Sequence, residues 1–267
     1  MLLPTDDGPL PGGTANHGRV IRVGATVHRP VGAHTPAVHA LLGHLAGTGF
    51  TGAPRVIGVD GATEILGYLE GAAAIEPVPD WALTDAALMS VGELLRAYHR
   101  DASGFDGSRL RWQRPVPERW RGGLVTHNDS NPANVIFRDG RAVALIDFDL
   151  AAPGSCAWEL AMAACFWVPL RADEDIADGR RNRVVRRFGL LLDSYGADAV
   201  TRLDVARAVR DANRWIAAVI EDAANTGHPA FGRLWQRDME LHRRADAWLV
   251  AHVDELVAAS RAEVGPR

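Results

Sequence analysis

A polar loop followed by a β-hairpin, within residues 124–150, constrains this chain more than any other stretch. Asp139-Gly140 stands between two apolar runs, and Asp-Gly in that place is the strongest short hairpin signal, because a type I′ turn needs positive φ at both central residues. A hairpin brings its two ends together. We therefore expect the cluster Asp129–Asn134 to lie beside Asp147, although Asp147 comes thirteen positions after Asn134 in the sequence.

The residue types in this stretch suit phosphoryl transfer. That chemistry needs a carboxylate near the attacking hydroxyl and hard oxygen ligands for the Mg²⁺ that neutralises nucleotide phosphates. Asp129 can be the carboxylate, and Asn134 and Asp147 can be the metal ligands. The spacing H-x-D-x-x-x-x-N, which begins at His127, followed by a hairpin and an aspartate, is the order of a kinase catalytic loop and its metal-binding aspartate.

The segments His127–Asn134 and Ile146–Asp149 together resemble the aminoglycoside phosphotransferase family, whose fold is like that of protein kinases. That family usually writes its loop H-G-D-x-x-P-x-N. Here Asn128 replaces the glycine, and Pro132 is in place. The alternative is a polar hairpin loop that matches by chance, and it requires five positions to agree in residue type, spacing and order.

The resemblance implies an α+β, bilobal protein-kinase-like fold. Residues 1–70 would form a small β-rich, nucleotide-binding N-terminal lobe, and residues 71–267 a larger, mainly helical C-terminal lobe that holds the catalytic and substrate-binding groups. Asp129 would orient the acceptor hydroxyl and take its proton. His127 would brace the loop through hydrogen bonds, and Asn131 would either hold the loop or contact the phosphate side of the nucleotide.

The first lobe departs from the kinase pattern in its phosphate-binding pair. Kinase-like folds place a lysine on the third strand, paired with a helix glutamate, but no lysine occurs here, and Arg29 on the predicted strand Thr26–Pro30 is the best positional match. Arg29 would grip nucleotide phosphates; otherwise it is a solvated residue at a strand end. On the helix predicted over 35–48, Val38 or His39 stands where the family carries its glutamate. Arg29 therefore has no identified partner, and we expect the phosphates alone to hold it.

Two further segments of this lobe are candidates for nucleotide contact. The glycine-rich segment Gly12–Gly18 either approaches the phosphates or forms a simple turn. Strands are predicted near 54–60 and 63–71, and the second resembles the family's strand that runs into the hinge between the lobes. Adenine would be bound there by main-chain groups of Tyr68, Leu69 and Glu70.

Three other residues of the second lobe have alternative roles. His99, on an amphipathic helix predicted over 84–101, is interpreted as structural rather than catalytic. Glu159 stands where the family has an aspartate, and we expect it to cap backbone N–H groups or to pair with an arginine. Asp149 either adds a contact to the metal or hydrogen-bonds the loop after its strand, and we favour the second role.

The rest of the chain is predicted to be helical, over residues 160–167, 182–194, 204–224 and 231–258. In the family this extension builds the acceptor pocket, where acidic groups suit polycationic substrates such as aminoglycosides. A solvated charged face is the better interpretation of each acidic candidate. These candidates are Asp173, Glu174, Asp175, Glu221 and Asp222.

Composition narrows the class of protein. The formal charge is −4 and the pI about 6.2, and no basic run is interleaved with aromatics, so a nucleic-acid partner is not expected. Cys156 and Cys165 suggest small core residues rather than a disulfide framework or a metal site. No signal peptide is recognisable, and no apolar run approaches the ~20 residues that span a bilayer. We expect a cytoplasmic protein without a membrane segment; monomer and dimer are not distinguished.

The sequence thus favours a phosphotransferase that moves the γ-phosphate of ATP or GTP to a hydroxyl of a small molecule, with Mg²⁺ as cofactor. The acceptor would be an aminoglycoside or another antibiotic, which implies a role in antibiotic resistance. One alternative is a catalytically weak, kinase-like binding or immunity protein, because the lysine is absent. The other is a metabolite kinase of the choline or homoserine type, which differs only in its pocket.

Overall fold

The computed structural model describes residues 7–11 and 18–261. Its first part is an antiparallel sheet of five strands in the order β1-β2-β3-β5-β4, with one helix, α1, inserted between β3 and β4. Pairing of β3 with β5, rather than with its sequence neighbour β4, sets residue 29 opposite residue 64. The elements are β1 (Gly8–Pro9), β2 (Ile21–Val23), β3 (Thr26–Pro30), α1 (Thr35–Thr48), β4 (Val56–Asp60) and β5 (Thr63–Gly67). The predicted glycine-rich segment falls at 12–17, outside the described residues.

The second part is mainly helical and carries two small sheets. One sheet has the order β6-β8-β9, and the other pairs β7 with β10. The strands are β6 (Ala72–Ala73), β7 (Leu124–Thr126), β8 (Val135–Arg138), β9 (Arg141–Leu145) and β10 (Ala152–Gly154), and the helices are α2 (Asp85–Ala102), α3 (Cys156–Trp167), α4 (Val184–Tyr195), α5 (Ala199–Asn225) and α6 (Pro229–Arg261). This arrangement is the bilobal α+β fold that the resemblance implied.

Local capping explains where the helices begin. Thr84 accepts a hydrogen bond from the Ala87 N–H at the start of α2, and Ser155 does the same for the Trp158 N–H at the start of α3. Helix α5 begins at Ala199, five residues before the predicted start, because Asp198 caps it. Apolar spacing alone located the body of α5 but not its first turn.

The core of the second lobe surrounds α2 and α3. Trp158 and Trp167 are fully buried on α3, and the Tyr98 hydroxyl of α2 donates to the Val125 carbonyl at 2.8 Å. His99 is buried at the contact between α2 and α4, where its Nδ1 lies 2.8 Å from the Tyr195 hydroxyl. That position agrees with the structural role predicted for His99. Burial also lowers the pKa of His99 to about 3, so its ring is neutral.

Two sequence expectations about covalent and membrane features can be compared with the structure. Cys156 and Cys165 are both free thiols, as expected. Among residues 7–11 and 18–261, every helix is too short or too polar to cross a bilayer.

The predicted hairpin is present, and its turn has the required backbone. Asp139 and Gly140 both have positive φ, 50° and 74°, and Arg138 pairs with Arg141 across the turn. Nothing lies within 4 Å of a Cβ added at Gly140, so only its backbone conformation requires glycine.

We expect Gly140→Ala to lower the free energy of unfolding by about 1–2 kcal/mol, because an L side chain is strained at left-handed φ. The matched control is Gly43→Ala on the exposed side of α1, where a Cβ also meets nothing. That control should raise stability by about 0.4–1 kcal/mol through chain entropy. Urea denaturation of both variants measures the difference; equal effects would contradict the turn assignment.

Candidate active site

The hairpin joins the two halves of the candidate site. Its strands β8 and β9 pair Val135 with Leu145, and one step beyond, the Ile146 N–H donates to the Asn134 carbonyl at 2.9 Å. Asn134 ends the polar loop, and Ile146 directly precedes Asp147. The polar cluster and Asp147 therefore lie side by side, as the hairpin argument predicted.

Asp129 is held by the two asparagines of its own loop. Its carboxylate accepts one hydrogen bond from Asn131 Nδ2 and one from Asn134 Nδ2, each 2.8 Å long. Burial and the charge of Asp147 raise the pKa of Asp129 to about 8, and the two amide donors only partly oppose that shift. The carboxyl group is therefore fixed in position, and its carboxylate form is a stronger base than a solvated aspartate.

Asn131 serves the loop with both of its polar atoms. Its Oδ1 accepts from the Ala133 N–H at 2.8 Å, while its Nδ2 donates to Asp129. Of the two roles predicted for Asn131, these contacts match the first, holding the loop. Contact with the nucleotide stays a prediction.

The substitution of Asn128 for the family's glycine has a structural reason. Asn128 has φ = 65°, in the left-handed region that glycine and asparagine adopt most readily. Its buried side chain accepts from Thr126 Oγ1 and Trp158 Nε1 at 2.7 and 2.9 Å, and donates to the Leu150 carbonyl at 2.8 Å. Asparagine therefore keeps the backbone bend and also ties the loop to α3 and to the chain after the hairpin.

Glu159 and His127 support the loop from beneath. Fully buried Glu159 accepts hydrogen bonds from the backbone N–H groups of His127 and Asn128, which is the capping role rather than the arginine pairing. His127 Nε2 lies 2.9 Å from the Ile146 carbonyl, so that nitrogen carries the proton and Nδ1 accepts from the Asp129 N–H at 3.2 Å. Burial lowers the pKa of His127 to about 4, which keeps it neutral. These contacts tie His127 to the Ile146 carbonyl and to the backbone of its own loop, and its part in the reaction stays a prediction.

Arg29 is buried between three carboxylates. Its Nε donates to Glu64 at 2.7 Å, Nη1 to Asp147 at 2.8 Å and Nη2 to Asp149 at 2.7 Å. Two histidines flank the group: His39 Nε2 lies 2.6 Å from Glu64, and His34 Nε2 lies 3.2 Å from Asp149. We call these residues the Arg29 cluster: Arg29, His34, His39, Glu64, Asp147 and Asp149. The cluster connects the five-stranded sheet with the loop after the hairpin.

The Arg29 cluster corrects two expectations. The partner of Arg29 is Glu64, which lies on β5 and not on the helix, so the expectation that phosphates alone would hold Arg29 is wrong. Asp149 pairs with Arg29 and His34 rather than with the loop after its strand. The sequence alone did not identify Glu64 as the partner of Arg29. The two residues become neighbours only through the pairing of the non-consecutive strands β3 and β5, which sets them opposite each other.

The oxygen atoms of Asn134 and Asp147 fit the coordination chemistry of Mg²⁺. Asn134 commits its Nδ2 to Asp129, which leaves the amide oxygen to face a cation. The Asp147 side chain is 32% exposed, and Arg29 contacts only its Oδ1. Within residues 7–11 and 18–261, no three His, Cys, Asp or Glu side chains form a ready-made cation site. Mg²⁺ commonly takes one or two protein carboxylates and completes its shell with phosphates and water.

The predicted hinge is partly occupied by contacts within the first lobe. The Tyr68 N–H donates to the Ala25 carbonyl at 2.9 Å, and the Arg22 guanidinium lies 3.7 Å from the centre of the Tyr68 ring. Arg22 also pairs with exposed Glu70 at 3.2 Å. Among the three hinge residues, Leu69 and Glu70 are thus better placed than the Tyr68 N–H to bind a base, and their role stays a prediction.

Three of the acidic candidates in the helical extension already have partners within the protein: two form ion pairs with arginines, and one accepts a hydrogen bond from a backbone N–H. Asp175 pairs with Arg244 at 3.0 Å, and Asp222 pairs with Arg114 at 2.6 Å. Asp173 accepts from the Asn182 backbone N–H. Glu174 and Glu221 are exposed. This pattern fits the solvated-face interpretation better than a pocket for a polycation.

Comparison with known proteins agrees with the site. The model of the phosphotransferase enzyme family, APH, matches residues 101–195, which include the polar loop and the hairpin. A trifolitoxin immunity protein from Rhizobium leguminosarum bv. trifolii is 29% identical over 263 residues, covering 90% of this chain and 94% of that protein.

Solved structures share the fold at low sequence identity. A choline/ethanolamine kinase family protein from Mesorhizobium loti superposes with a TM-score of 0.64 at 16% identity, covering 96% of this chain and 92% of the other. An APH(2″) protein in complex with GDP and kanamycin gives 0.56 at 14% identity, with coverages of 92% and 94%. The resemblance to the aminoglycoside phosphotransferase family is therefore confirmed over residues 101–195, and the protein-kinase-like fold is confirmed over most of the chain.

Replacing Glu159 by Gln should destabilise the protein by about 1–3 kcal/mol, because the amide NH2 that takes the place of Oε1 is a donor and would face the Asn128 N–H donor. Burial raises the pKa of Glu159 from 4.5 to about 7. The stability that Glu159 contributes is therefore full below pH 4.5 and is lost as pH rises through 7, by up to about 1.4 kcal/mol per pH unit. The gap between wild type and variant should narrow over that window in denaturation curves; a constant gap would contradict the buried, protonatable Glu159.

Replacing Arg29 by Met should cost about 3–5 kcal/mol of stability at pH 7, because it leaves the carboxylates of Glu64, Asp147 and Asp149 without their buried cation. Arg29→Lys is the matched control. It keeps the charge but loses the planar fork, so its loss should be smaller. Urea denaturation measures both. A methionine variant as stable as wild type would show that the cluster does not connect the lobes energetically.

Proposed function

We propose that this protein transfers the γ-phosphate of ATP or GTP to a hydroxyl group of a small molecule. The observation that carries the proposal is the geometry around Asp129. Two amide donors fix its carboxylate, and burial raises its pKa, which makes the carboxylate a stronger base than a solvated aspartate. The match of the phosphotransferase family model to the surrounding residues supports the same reaction.

In the proposed reaction Asp129 orients the acceptor hydroxyl towards the γ-phosphorus. The acceptor oxygen forms the new P–O bond while the bond from the γ-phosphorus to the β–γ bridging oxygen breaks, and the electron pair leaves with the nucleoside diphosphate. The hydroxyl proton passes to Asp129. Because such transition states are loose, the proton moves late, and fixed position matters more than base strength. His127 stays neutral and acts only by positioning the loop.

Asn134 and Asp147 are the proposed ligands of Mg²⁺, which would neutralise charge on the β- and γ-phosphates. Arg29 is the proposed phosphate-binding cation. A guanidinium has five N–H donors, and the three carboxylates use three of them, so two remain for phosphate oxygens. Leu69 and Glu70 would offer main-chain groups to the base, with Tyr68 beside them. A bound GDP in one structural relative supports a nucleotide in this cleft.

A second candidate function is a binding or immunity protein with weak catalysis. Two observations favour it: Arg29 occupies an oxygen of the proposed metal ligand Asp147, and the trifolitoxin immunity protein is similar over nearly its whole length. The choline/ethanolamine kinase family relative is the reason to keep a metabolite acceptor among the candidates. That third possibility shares the chemistry and differs in the pocket.

Measuring nucleotide binding distinguishes the phosphotransferase from the binding protein. Wild type should be stabilised by ATP or GTP only when Mg²⁺ is present, by about 2.7 kcal/mol at a hundredfold excess over Kd. Asp147→Ala should remove the Mg²⁺-dependent part of the melting shift and abolish nucleotide turnover while the protein stays folded. Asp129→Asn should retain the shift and lose phosphate transfer.

The control is Asp173→Asn, since Asp173 lies in the helical extension and accepts only a backbone N–H. It should bind nucleotide and turn it over like wild type. No shift with either nucleotide and no transfer to amino-sugar, macrolide, peptide or amino-alcohol acceptors would contradict phosphotransfer and favour the binding protein. An Asp147→Ala variant with full turnover would remove the metal role of Asp147.

A further inference from the structure

The cleft between the lobes has two ends that the structure defines by contacts. At one end Arg29 of β3 donates to Asp147 of the second lobe, and β8 begins directly after Asn134. At the other end the hinge, residues 68–71, connects β5 of the first lobe with β6, and β6 pairs with β8. Strand β3 above and strand β8 below therefore run from the proposed metal site to the hinge.

Arg22 lies on the same face of the sheet as Arg29, at the hinge end of the cleft. It stands directly opposite Val27 on β3, and directly opposed residues share a face. Val27 precedes Arg29 by two residues, so these two also share that face, about 7 Å apart. The Arg22 guanidinium lies 3.7 Å from the centre of the Tyr68 ring, and its Nη2 donates to Glu70 Oε1 at 3.2 Å. Both of these partners belong to the hinge.

The contacts of Arg22 fix its guanidinium but leave most of its donors unused. Nε donates to the Gly24 carbonyl at 2.9 Å, and Nη2 uses one N–H for Glu70. A guanidinium has five N–H donors, so three have no partner within residues 7–11 and 18–261. The Glu70 side chain is 72% exposed, and Arg22 contacts only its Oε1. The pair therefore presents free donors and free acceptor positions side by side.

The two purine bases differ in what they offer to such a pair. A nucleotide with its phosphates between Arg29 and the metal ligands extends its base towards the hinge, because the ribose separates the two. Guanine presents the acceptor O6 next to two donors, N1–H and the 2-amino group. Adenine presents the 6-amino donor next to the acceptor N1. A guanidinium beside a carboxylate thus matches guanine at three positions, whereas adenine gives the carboxylate at most one donor.

We propose that the Arg22–Glu70 pair selects guanine, so that the phosphate donor is GTP rather than ATP. Arg22 donates to O6, and Glu70 accepts from N1–H and the 2-amino group, while Tyr68 keeps the guanidinium in place. This inference rests on the proposed phosphotransfer, because it names the nucleotide of that reaction. It also gives a use to an exposed ion pair, which by itself adds little stability.

Base selection can be tested without turnover. GDP, ADP and inosine diphosphate, whose base is guanine without the 2-amino group, are titrated with Mg²⁺ against wild type by calorimetry. GDP should bind about tenfold more tightly than ADP, with inosine diphosphate between them. Glu70→Gln should bind GDP and inosine diphosphate equally, because the amide no longer accepts from two donors. Arg22→Met should weaken both of these ligands relative to ADP, because it removes the donors to O6.

The matched control is Glu240→Gln, because Glu240 is an exposed glutamate of α6 that pairs with Arg243 at 3.4 Å. It should keep the affinities of wild type for all three ligands. Equal binding of GDP and ADP by wild type, or a guanine preference that survives both Glu70→Gln and Arg22→Met, would overturn the inference. So would an Arg22→Met variant that binds all three ligands more tightly to the same extent, because Arg22 would then only fill the space of the base.

The two hypotheses fail in different ways. Phosphate transfer from GTP and ATP with equal kcat/KM would reject base selection and keep phosphotransfer. Guanine-selective binding that depends on Arg22 and Glu70, in a protein that transfers phosphate from GTP to no acceptor, would reject phosphotransfer and keep the base selection. A wild-type protein that binds none of the three diphosphates would reject both.

Discussion

The contact of one buried arginine with three carboxylates holds the candidate site together. Arg29 belongs to the five-stranded sheet, whereas Asp147 and Asp149 follow the hairpin of the second lobe, so their ion pairs cross between lobes. Glu64 fixes the guanidinium from the neighbouring strand at 2.7 Å. A buried ion group of this kind contributes little net stability compared with apolar packing, but its geometry is demanding. It therefore sets the relative position of the two lobes at the point where the nucleotide is proposed to bind.

The departures from the family pattern make sense as a set. Asn128 preserves the left-handed bend of a glycine and adds buried hydrogen bonds, and Glu159 accepts from the N–H groups of His127 and Asn128 at the start of that bend. Arginine in place of lysine requires more partners, because its fork presents donors in several directions. Glu64 and Asp149 accept hydrogen bonds from two N–H groups of the Arg29 guanidinium, and a lysine ammonium would not direct donors to both places. Each change thus has its counterpart in a nearby side chain.

The sequence predicted the local features of the site and missed those set by register. The hairpin at Asp139-Gly140 and the loop around Asp129 depend on residues close in the chain, so their pattern was sufficient. Glu64 lies 35 residues after Arg29, and only the pairing of two non-consecutive strands brings them together. The role of Asp149 depends on how closely the lobes approach, and no local pattern encodes that distance.

The same arginine that replaces the lysine also restrains a proposed metal ligand. Nη1 of Arg29 holds Asp147 Oδ1, so a cation that approached Asp147 would meet a carboxylate whose charge is partly neutralised. Nucleotide phosphates bring negative charge to both Arg29 and the metal, and this shared attraction would allow the two cations to lie on one carboxylate. When no nucleotide is bound, no negative charge offsets the repulsion between Arg29 and a metal ion on Asp147. Under the proposed function, the cluster would thus make metal binding and nucleotide binding depend on each other.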